Sequence, residues 1–137
     1  MLCNIFDYLS LYIEALGLSS ANSKAKSVIN YRDPNKQSAG STAPAGDFAS
    51  VLEREILQAY CPTEYSNWTI TDVNKFLDEL SSNAEENKDK KKELIKKAVF
   101  NLNAKENKWL VRIILKDLKI GMRHEKVREW YLVFQLH

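Results

Sequence analysis

The amino-acid sequence predicts an all-α fold, an irregular bundle of several helices. Apolar residues recur at intervals of three and four over most of the chain, which is the period of an amphipathic helix. The sequence contains neither sustained apolar–polar alternation nor an Asn-Gly hairpin signal, so a sheet is not expected. The chain has 137 residues, of which 45% are hydrophobic and 28% are charged. This composition excludes disorder throughout, and the size suits one domain with its own core.

The first part of the chain is predicted to hold two helices and a loop. The first helix covers residues 2–18, and Gly17 near its end is a stop signal. A short helical piece is expected near residues 24–31. Residues 32–46 contain two of the three prolines and two of the four glycines, which is typical of a surface loop.

Two helices are predicted in the middle of the chain, over residues 47–60 and 70–82. Asp47 is expected to N-cap the first, because a carboxylate can accept a hydrogen bond from the first-turn N–H groups. The inner edge of the first helix is predicted to consist of Phe48, Leu52, Ile56 and Tyr60. The buried face of the second is predicted to consist of Ile70, Val73, Phe76, Leu77 and Leu80.

Three further helices are predicted over residues 90–103, 105–119 and 123–131. Gly121 follows the middle one and suits the left-handed conformation that ends many helices. The inward residues of the 90–103 helix are predicted to be Leu94, Ile95, Ala98, Val99 and Leu102. Those of the 105–119 helix are predicted to be Trp109, Leu110, Ile113, Ile114 and Leu118.

The formal net charge of +2 conceals an uneven distribution of charge along the chain. Residues 1–87 carry 6 basic and 12 acidic side chains, whereas residues 88–137 carry 14 basic and 6 acidic ones. Such an asymmetry points to a second half that faces a polyanion. A set of solvated, lysine-rich helix faces would give the same composition, and both interpretations stay open at this point.

The sharpest basic pattern lies in the helix predicted over residues 105–119. Its cations recur at intervals of three or four, so they are expected to form one stripe opposite Ile113 and Ile114. A row of cations on a helix can follow phosphates without reading bases. Gly121 after the helix would let the backbone approach a phosphate closely. The stripe consists of Lys105, Lys108, Arg112, Lys116 and Lys119, and the lysine tract at 88–97 is a second candidate.

Other kinds of chemistry have no pattern to support them. The sequence has no phosphate-binding glycine loop and no stretch of about 20 apolar residues that could span a membrane. The two histidines, His124 and His137, and the two cysteines, Cys3 and Cys61, lack the spacing of metal ligands. The cysteines are interpreted as small core residues of an intracellular chain, and no catalytic residue or metal ligand is predicted.

The basic segment also carries a family resemblance. LNAKENKWLVRIILKDLKIG resembles a helix and turn of the N-terminal DNA-binding domain of ATP-dependent DNA ligases, and is most similar to the end-joining members of that family. Other segments resemble further parts of the same domain in the same order. They are SVINYRDP, AGDFASVL, WTITDVNKFLDELSSN and KKKELIKKAVFNL. The resemblance covers roughly residues 5–131.

The resemblance implies an all-helical domain that lies over the minor groove of nicked or broken duplex DNA and touches its sugar–phosphate backbone. It implies a nuclear role in double-strand break repair by non-homologous end joining. The implied DNA contacts are Lys116, Lys119, Gly121 and Met122, to which the basic stripe adds Lys108. Arg112 corresponds to an interior arginine of the family, with Glu106 as its expected partner. Trp109 is expected to have a structural role as well.

The departures from the family limit what this chain is expected to do. Ligation needs a lysine in a Lys-x-Asp-Gly motif, which does not occur in the 137 residues. The chain alone is therefore not expected to ligate DNA or to need a cofactor, although the parent family uses ATP and magnesium. Residues 1–131 are interpreted as a partial N-terminal domain, with more of the domain expected on either side, and residues 132–137 as a divergent tail.

The expected partners are duplex DNA and the remaining ligase domains of a longer product, with no membrane. The alternative function is that of a helical protein-interaction module, or adapter, in which the basic face meets an acidic protein and no DNA is bound.

Overall fold

The computed structural model describes residues 5–19, 21–31, 46–82 and 87–116. All regular structure in these ranges is helical, which confirms the predicted all-α fold. The elements are α1 (Ile5–Ala15), α2 (Ser23–Ile29), α3 (Phe48–Leu52), a π-helical turn (Glu53–Leu57), α4 (Gln58–Tyr60), α5 (Ile70–Ser82), α6 (Lys88–Asn101) and α7 (Ala104–Ile114).

A single hydrophobic core holds these helices together. Helix α1 packs on α6, whereas α7 packs on α3 and the π-helical turn. The largest apolar side chains with no exposed surface are Tyr12, Leu52, Ile56, Leu57 and Ile95. Full burial of one such side chain stabilises a fold by about 1.5–3 kcal/mol before entropy is counted. The core therefore fixes α7, which carries Glu106, Lys108, Trp109 and Arg112 of the predicted site.

Gly17 ends α1 as the sequence predicts. Its backbone is left-handed, with φ at 63°. Its N–H donates to the carbonyl of Glu14 at 3.1 Å, and the N–H of Leu18 donates to the carbonyl of Ile13 at 2.9 Å. This pair of bonds is a Schellman motif, which satisfies the last carbonyls of a helix.

We expect Gly17→Ala to lower the free energy of unfolding by about 1–2 kcal/mol, because a Cβ disfavours the left-handed conformation. A Cβ at this position would meet nothing within 4 Å, so the cost comes from the backbone alone. Gly17→Asn is the matched control and should cost less, since asparagine tolerates this conformation. Urea unfolding measures both losses of stability, provided that the slope of the unfolding free energy against urea concentration is the same in all chains. Equal losses for the two variants would contradict the backbone explanation.

The 47–60 region is helical as predicted, but its register changes in the middle. Asp47 occupies the N-cap position of α3, yet its side chain makes no capping hydrogen bond to the helix. Leu52 and Ile56 are fully buried as predicted, whereas Tyr60 is 37% exposed. The π-helical turn explains this error, because it holds more residues per turn than an α-helix and so rotates the following side chains. Leu57 is buried instead.

Helices α5 and α6 follow the predictions closely. The predicted inward residues of α6 are buried or packed against the core, and so are those of α5 except Ile70. Ile70 is 82% exposed, because it begins α5 one turn before Val73, the first residue of that helix to touch the core. Thr69 caps α5, since its hydroxyl oxygen accepts the Asp72 N–H at 3.3 Å, and the Asp72 carboxylate in turn accepts the Thr69 N–H at 2.8 Å.

Helix α7 differs most from the prediction. Trp109 and Ile113 were expected inside but are 43% and 42% exposed. Leu110 is buried and Ile114 packs against the core as predicted. The rest of the buried face is formed by Asn103, Asn107 and Val111. A polar residue, Asn107, occupies the centre of this face, so counting apolar residues alone gives the wrong rotation of the helix.

The end of α7 also differs from the prediction. The helix ends at Ile114, before the predicted residue 119, and Lys116 then adopts a left-handed backbone with φ at 55°. The predicted helix over 123–131, Gly121 as a helix stop, and Cys3 lie outside the described residues, as does nearly all of the predicted 32–46 loop. Within the described ranges, none of the helices has the length and apolar character needed to cross a bilayer.

Candidate nucleic-acid interface

The start of α7 is fixed by a reciprocal pair of caps. The Asn103 side chain accepts the Glu106 N–H at 2.8 Å, and the Glu106 carboxylate accepts the Asn103 N–H at 2.9 Å. Both oxygens of Glu106 also accept the Ser66 N–H at 3.2 Å. Glu106 therefore joins the connection before α5 to the first turn of α7.

Arg112 does not pair with Glu106 as expected. Its Nε and Nη2 donate to the two carboxylate oxygens of Asp47 at 3.2 and 3.0 Å. The side chains are only 12% and 17% exposed, and Nη2 also reaches the hydroxyl of Ser50 at 3.3 Å. Glu106 lies six residues earlier on the same helix, where its carboxylate serves the caps, so Asp47 on a neighbouring helix takes the guanidinium.

This arrangement sets the charge state of Asp47. Burial by itself raises the pKa of the carboxyl, but the hydrogen bonds from Arg112 and Ser50 outweigh it and leave the pKa below its usual value. Asp47 is therefore an anion at neutral pH, and the bidentate geometry is the strong form of an arginine–carboxylate pair.

Lys108 is neutralised in a similar way. Its ammonium lies 2.8 Å from the carboxylate of Glu53 in the π-helical turn, and the two side chains are 22% and 17% exposed. Lys108 and Arg112 thus tie α7 to the helical segment that begins at Asp47. Of the five residues in the predicted basic stripe, these two meet carboxylates and are poorly placed to meet phosphate.

Two other members of the stripe are exposed to solvent, one on α7 and one just after its end. Lys105 and Lys116 are exposed, and neither forms an ion pair within the part of the chain that the structure describes. Trp109 and Ile113 lie between them along the helix, and the Arg112 guanidinium sits over the Trp109 ring at 4.7 Å from its centroid. Lys119, Gly121 and Met122 lie beyond the described residues.

The lysine tract of α6 is also divided. Lys88 and Lys92 each lie 2.8 Å from a carboxylate oxygen of Glu14 on α1. These bonds lower the pKa of Glu14 and raise that of Lys92. Lys90, Lys96 and Lys97 point to solvent. Lys88 and Lys92 therefore fasten α6 to α1, whereas Lys90, Lys96 and Lys97 stay available to an anion.

Behind this face lies a buried polar centre. The amide nitrogen of Asn107 donates to the carbonyls of Ala98, Leu102 and Asn103 at 3.2, 3.0 and 3.3 Å. It also lies 3.3 Å from the Cys61 sulfur, which packs against the core as the sequence predicts. Burial raises the pKa of Cys61 to about 11, so the thiol stays protonated and has no nucleophilic character. No cluster of metal-ligating side chains occurs among the described residues.

Sequence reasoning missed Asp47, Glu53 and Asn107 as determinants of this site. Asp47 and Glu53 lie 65 and 55 positions before the cations that they meet, a separation that no helical spacing rule covers. Asn107 did leave a signal, because Asn103, Asn107, Leu110 and Val111 share the spacing of a single helix face. Because asparagine is polar, a pattern built from apolar residues alone leaves it out.

The sequence of the chain matches a known protein family. The family described as DNA ligase N terminus matches residues 7–131. The chain belongs to this DNA ligase family. The resemblance carried by these sequence segments is thereby confirmed.

Individual relatives agree with the family. The chain is 39% identical over 121 residues to a DNA ligase 4 from Homo sapiens and 37% identical over 121 residues to one from Gallus gallus, covering 85% of this chain in each case. A DNA ligase 4 from Arabidopsis thaliana is 37% identical over 115 residues, or 84% of this chain. The matched region is 12% of the human and chicken relatives and 9% of the plant one. The predicted likeness to DNA ligase IV is confirmed.

Asp47→Asn tests how this ligase domain holds α7. We expect the free energy of unfolding at pH 7 to fall by about 1–3 kcal/mol, the range for a hydrogen bond to a charged group. Because the folded pKa of Asp47 is lowered, its contribution is complete above the unfolded pKa of about 3.9 and is lost as pH falls through the folded pKa. The gap between parent and variant should therefore narrow below about pH 4.

The matched control for this pair is Glu55→Gln. Glu55 bonds to the adjacent Arg54 at 2.9 Å in a more exposed setting, with the arginine side chain 49% exposed. Its loss should cost less than about 0.5 kcal/mol. Urea unfolding of the three chains between pH 3 and pH 7 makes the comparison. If the difference in unfolding free energy between the parent and Asp47→Asn does not change with pH, the charge of Asp47 is not the stabilising feature.

Proposed function

We propose that this chain binds nicked or broken duplex DNA without reading its sequence, as the N-terminal part of a nuclear DNA ligase that acts in double-strand break repair by non-homologous end joining. The observation that carries the proposal is uncompensated positive charge on α6 and α7 in a chain of the DNA ligase family. Residues 88–116 contain 10 basic and 3 acidic side chains. The exposed lysines without an ion pair in this range are Lys90, Lys96, Lys97, Lys105 and Lys116.

The contact set proposed for the phosphate backbone is Lys116, Lys119, Gly121 and Met122. Lys108 is assigned a structural role instead, because Glu53 holds its ammonium at 2.8 Å. Phosphate contacts fix position on the duplex and carry no base information, so the binding is non-specific. The minor groove is the proposed side of approach.

The proposed role is to hold DNA while other domains of the ligase act on it. The 137 residues of this chain contain no Lys-x-Asp-Gly motif to accept AMP from ATP. ATP and magnesium would accordingly serve the rest of the parent enzyme, and the remaining ligase domains are proposed partners.

The salt dependence of binding to a nicked duplex tests the proposal. The logarithm of the binding constant should fall linearly with the logarithm of salt concentration, by about 0.9 per phosphate contact. Lys116→Gln should reduce the slope by about 1, because one contact is lost. Lys108→Gln is the control and should leave the slope unchanged. Absence of duplex binding at low salt, together with binding to an acidic polypeptide, would favour the adapter function instead.

A further inference from the structure

We propose that Trp109 is a stacking site for an unpaired nucleobase, such as one in the single-stranded overhang of a broken DNA end. The inference rests on the proposed function and extends it from the backbone of the duplex to an unpaired base at a DNA end. It concerns the outward face of α7, formed by Lys105, Trp109 and Ile113, and Lys116, which follows the end of that helix.

The indole is exposed and at the same time braced. Trp109 is 43% exposed, whereas Trp68 is partly buried with its ring 5.7 Å from that of Phe76. The Arg112 guanidinium lies 4.7 Å from the centroid of Trp109, and Arg112 is itself held by both carboxylate oxygens of Asp47. A ring backed by a fixed cation loses little conformational freedom when a base stacks on its open surface.

The charge around the indole is complementary to a single strand. Lys105 lies about 6 Å before Trp109 along the helix axis at 1.5 Å per residue, and Lys116 follows after the end of α7. Both lysines are exposed. Proteins that bind single strands combine cations for the backbone with aromatic rings for the bases. Ile113, 42% exposed, extends the apolar surface beside the ring.

Other occupants fit this face less well. The bases in the interior of a duplex stack on one another, so their faces are closed to an indole until a base is unpaired. An acidic peptide would satisfy the lysines but leave the aromatic surface without a partner. A second copy of the chain in the same orientation would bring like charges together across the contact. A DNA end with unpaired bases satisfies both the cations and the ring.

The test compares a blunt duplex with the same duplex carrying an oligothymidine overhang, using the full chain. We expect the parent to bind the overhang duplex more tightly. Trp109→Ala should reduce that advantage by at least about fivefold, since one base–aromatic stack contributes this much or more. Trp109→Phe should keep most of it, and Trp68→Phe, the control, should keep all of it. Affinity for the blunt duplex should not change in the Trp109 variants.

A chain with Trp109 as its single tryptophan gives a second readout. With Trp68→Phe and Trp130→Phe in place, the overhang should quench the fluorescence of Trp109 and the blunt duplex should not. Strong protection of Trp109 from acrylamide without DNA would overturn the proposal, because another segment or a second copy would then cover the ring. An overhang advantage that survives Trp109→Ala would overturn it as well. Duplex binding without any overhang advantage defeats only this inference, whereas no DNA binding at all defeats the proposed function too.

Discussion

Replacing Lys116 and Lys119 together with glutamate is expected to abolish binding to a nicked duplex while leaving the helical content unchanged. Lys116 is exposed and follows the last turn of α7, where its left-handed backbone turns the chain. The C-terminal end of a helix carries partial negative charge, which repels phosphate. Binding at this end must therefore come from the lysine ammoniums and from the amides beyond the turn. Two glutamates there would reverse the attraction.

The expected loss has a matched control on another helix. Lys24 and Lys26 on α2 are also exposed, so replacing both with glutamate changes the net charge by the same amount at a different place. If the contact is local, the α2 variant should retain most of its affinity at physiological salt, and only the Lys116 and Lys119 variant should lose it. Equal weakening of the two would mean that overall charge drives binding. Unchanged binding of the double variant at low salt would point to the exposed lysines of α6.

The local pattern of residues predicted the helices around this site better than it predicted where they end. Lys116 and Lys119 were expected to share a helix face, but α7 ends at Ile114. The helix period predicted each helical region of the described residues, and for α5 its bounds, because the pattern of apolar residues is a local signal. Gly17 was equally readable, since a left-handed helix end favours glycine wherever it occurs.

The predictions that were wrong concern features that tertiary packing decides. Tyr60 was placed inside because a uniform α-helix was assumed, and the π-helical turn broke that assumption. Arg112 was given the wrong partner because its carboxylate comes from Asp47, which only the tertiary packing brings near. Both depend on how helices meet, and the spacing of residues along one helix contains no record of that. Only such tertiary contacts distinguish the lysines that are exposed to DNA from those that pair with carboxylates of neighbouring helices.

Asn107 is the residue on which the rotation of α7 depends most. It has no exposed surface, and its amide nitrogen contacts carbonyls at the end of α6 and the start of α7. The carbonyls of Ala98 and Asn103 also accept backbone N–H groups at 2.9 Å. Three carbonyl oxygens face the Asn107 nitrogen, so a side chain that can only accept would be repelled there.

Asn107→Asp is expected to lower the free energy of unfolding at pH 7 by about 3–5 kcal/mol, the cost of an uncompensated buried charge. Asn107→Leu, of similar volume, should cost only about 1–3 kcal/mol, because it removes the hydrogen bonds without burying a charge. Asn74→Asp on the exposed side of α5 makes the same chemical change and should stay within about 0.5 kcal/mol of the parent.

The pH dependence separates the charge from the lost hydrogen bonds. Burial against carbonyl oxygens would raise the folded pKa of the new carboxyl above its unfolded value of about 3.9. The folded variant then binds more protons than the unfolded one, so its stability should fall as pH rises from about 4 towards neutrality. Asn107→Leu adds no titrating group, and its deficit relative to the parent should stay constant over that range. Urea unfolding at several pH values measures both. If the Asp and Leu variants lose equal stability at every pH, the carbonyls around Asn107 do not select for a donor, and the polar centre of α7 is a packing feature alone.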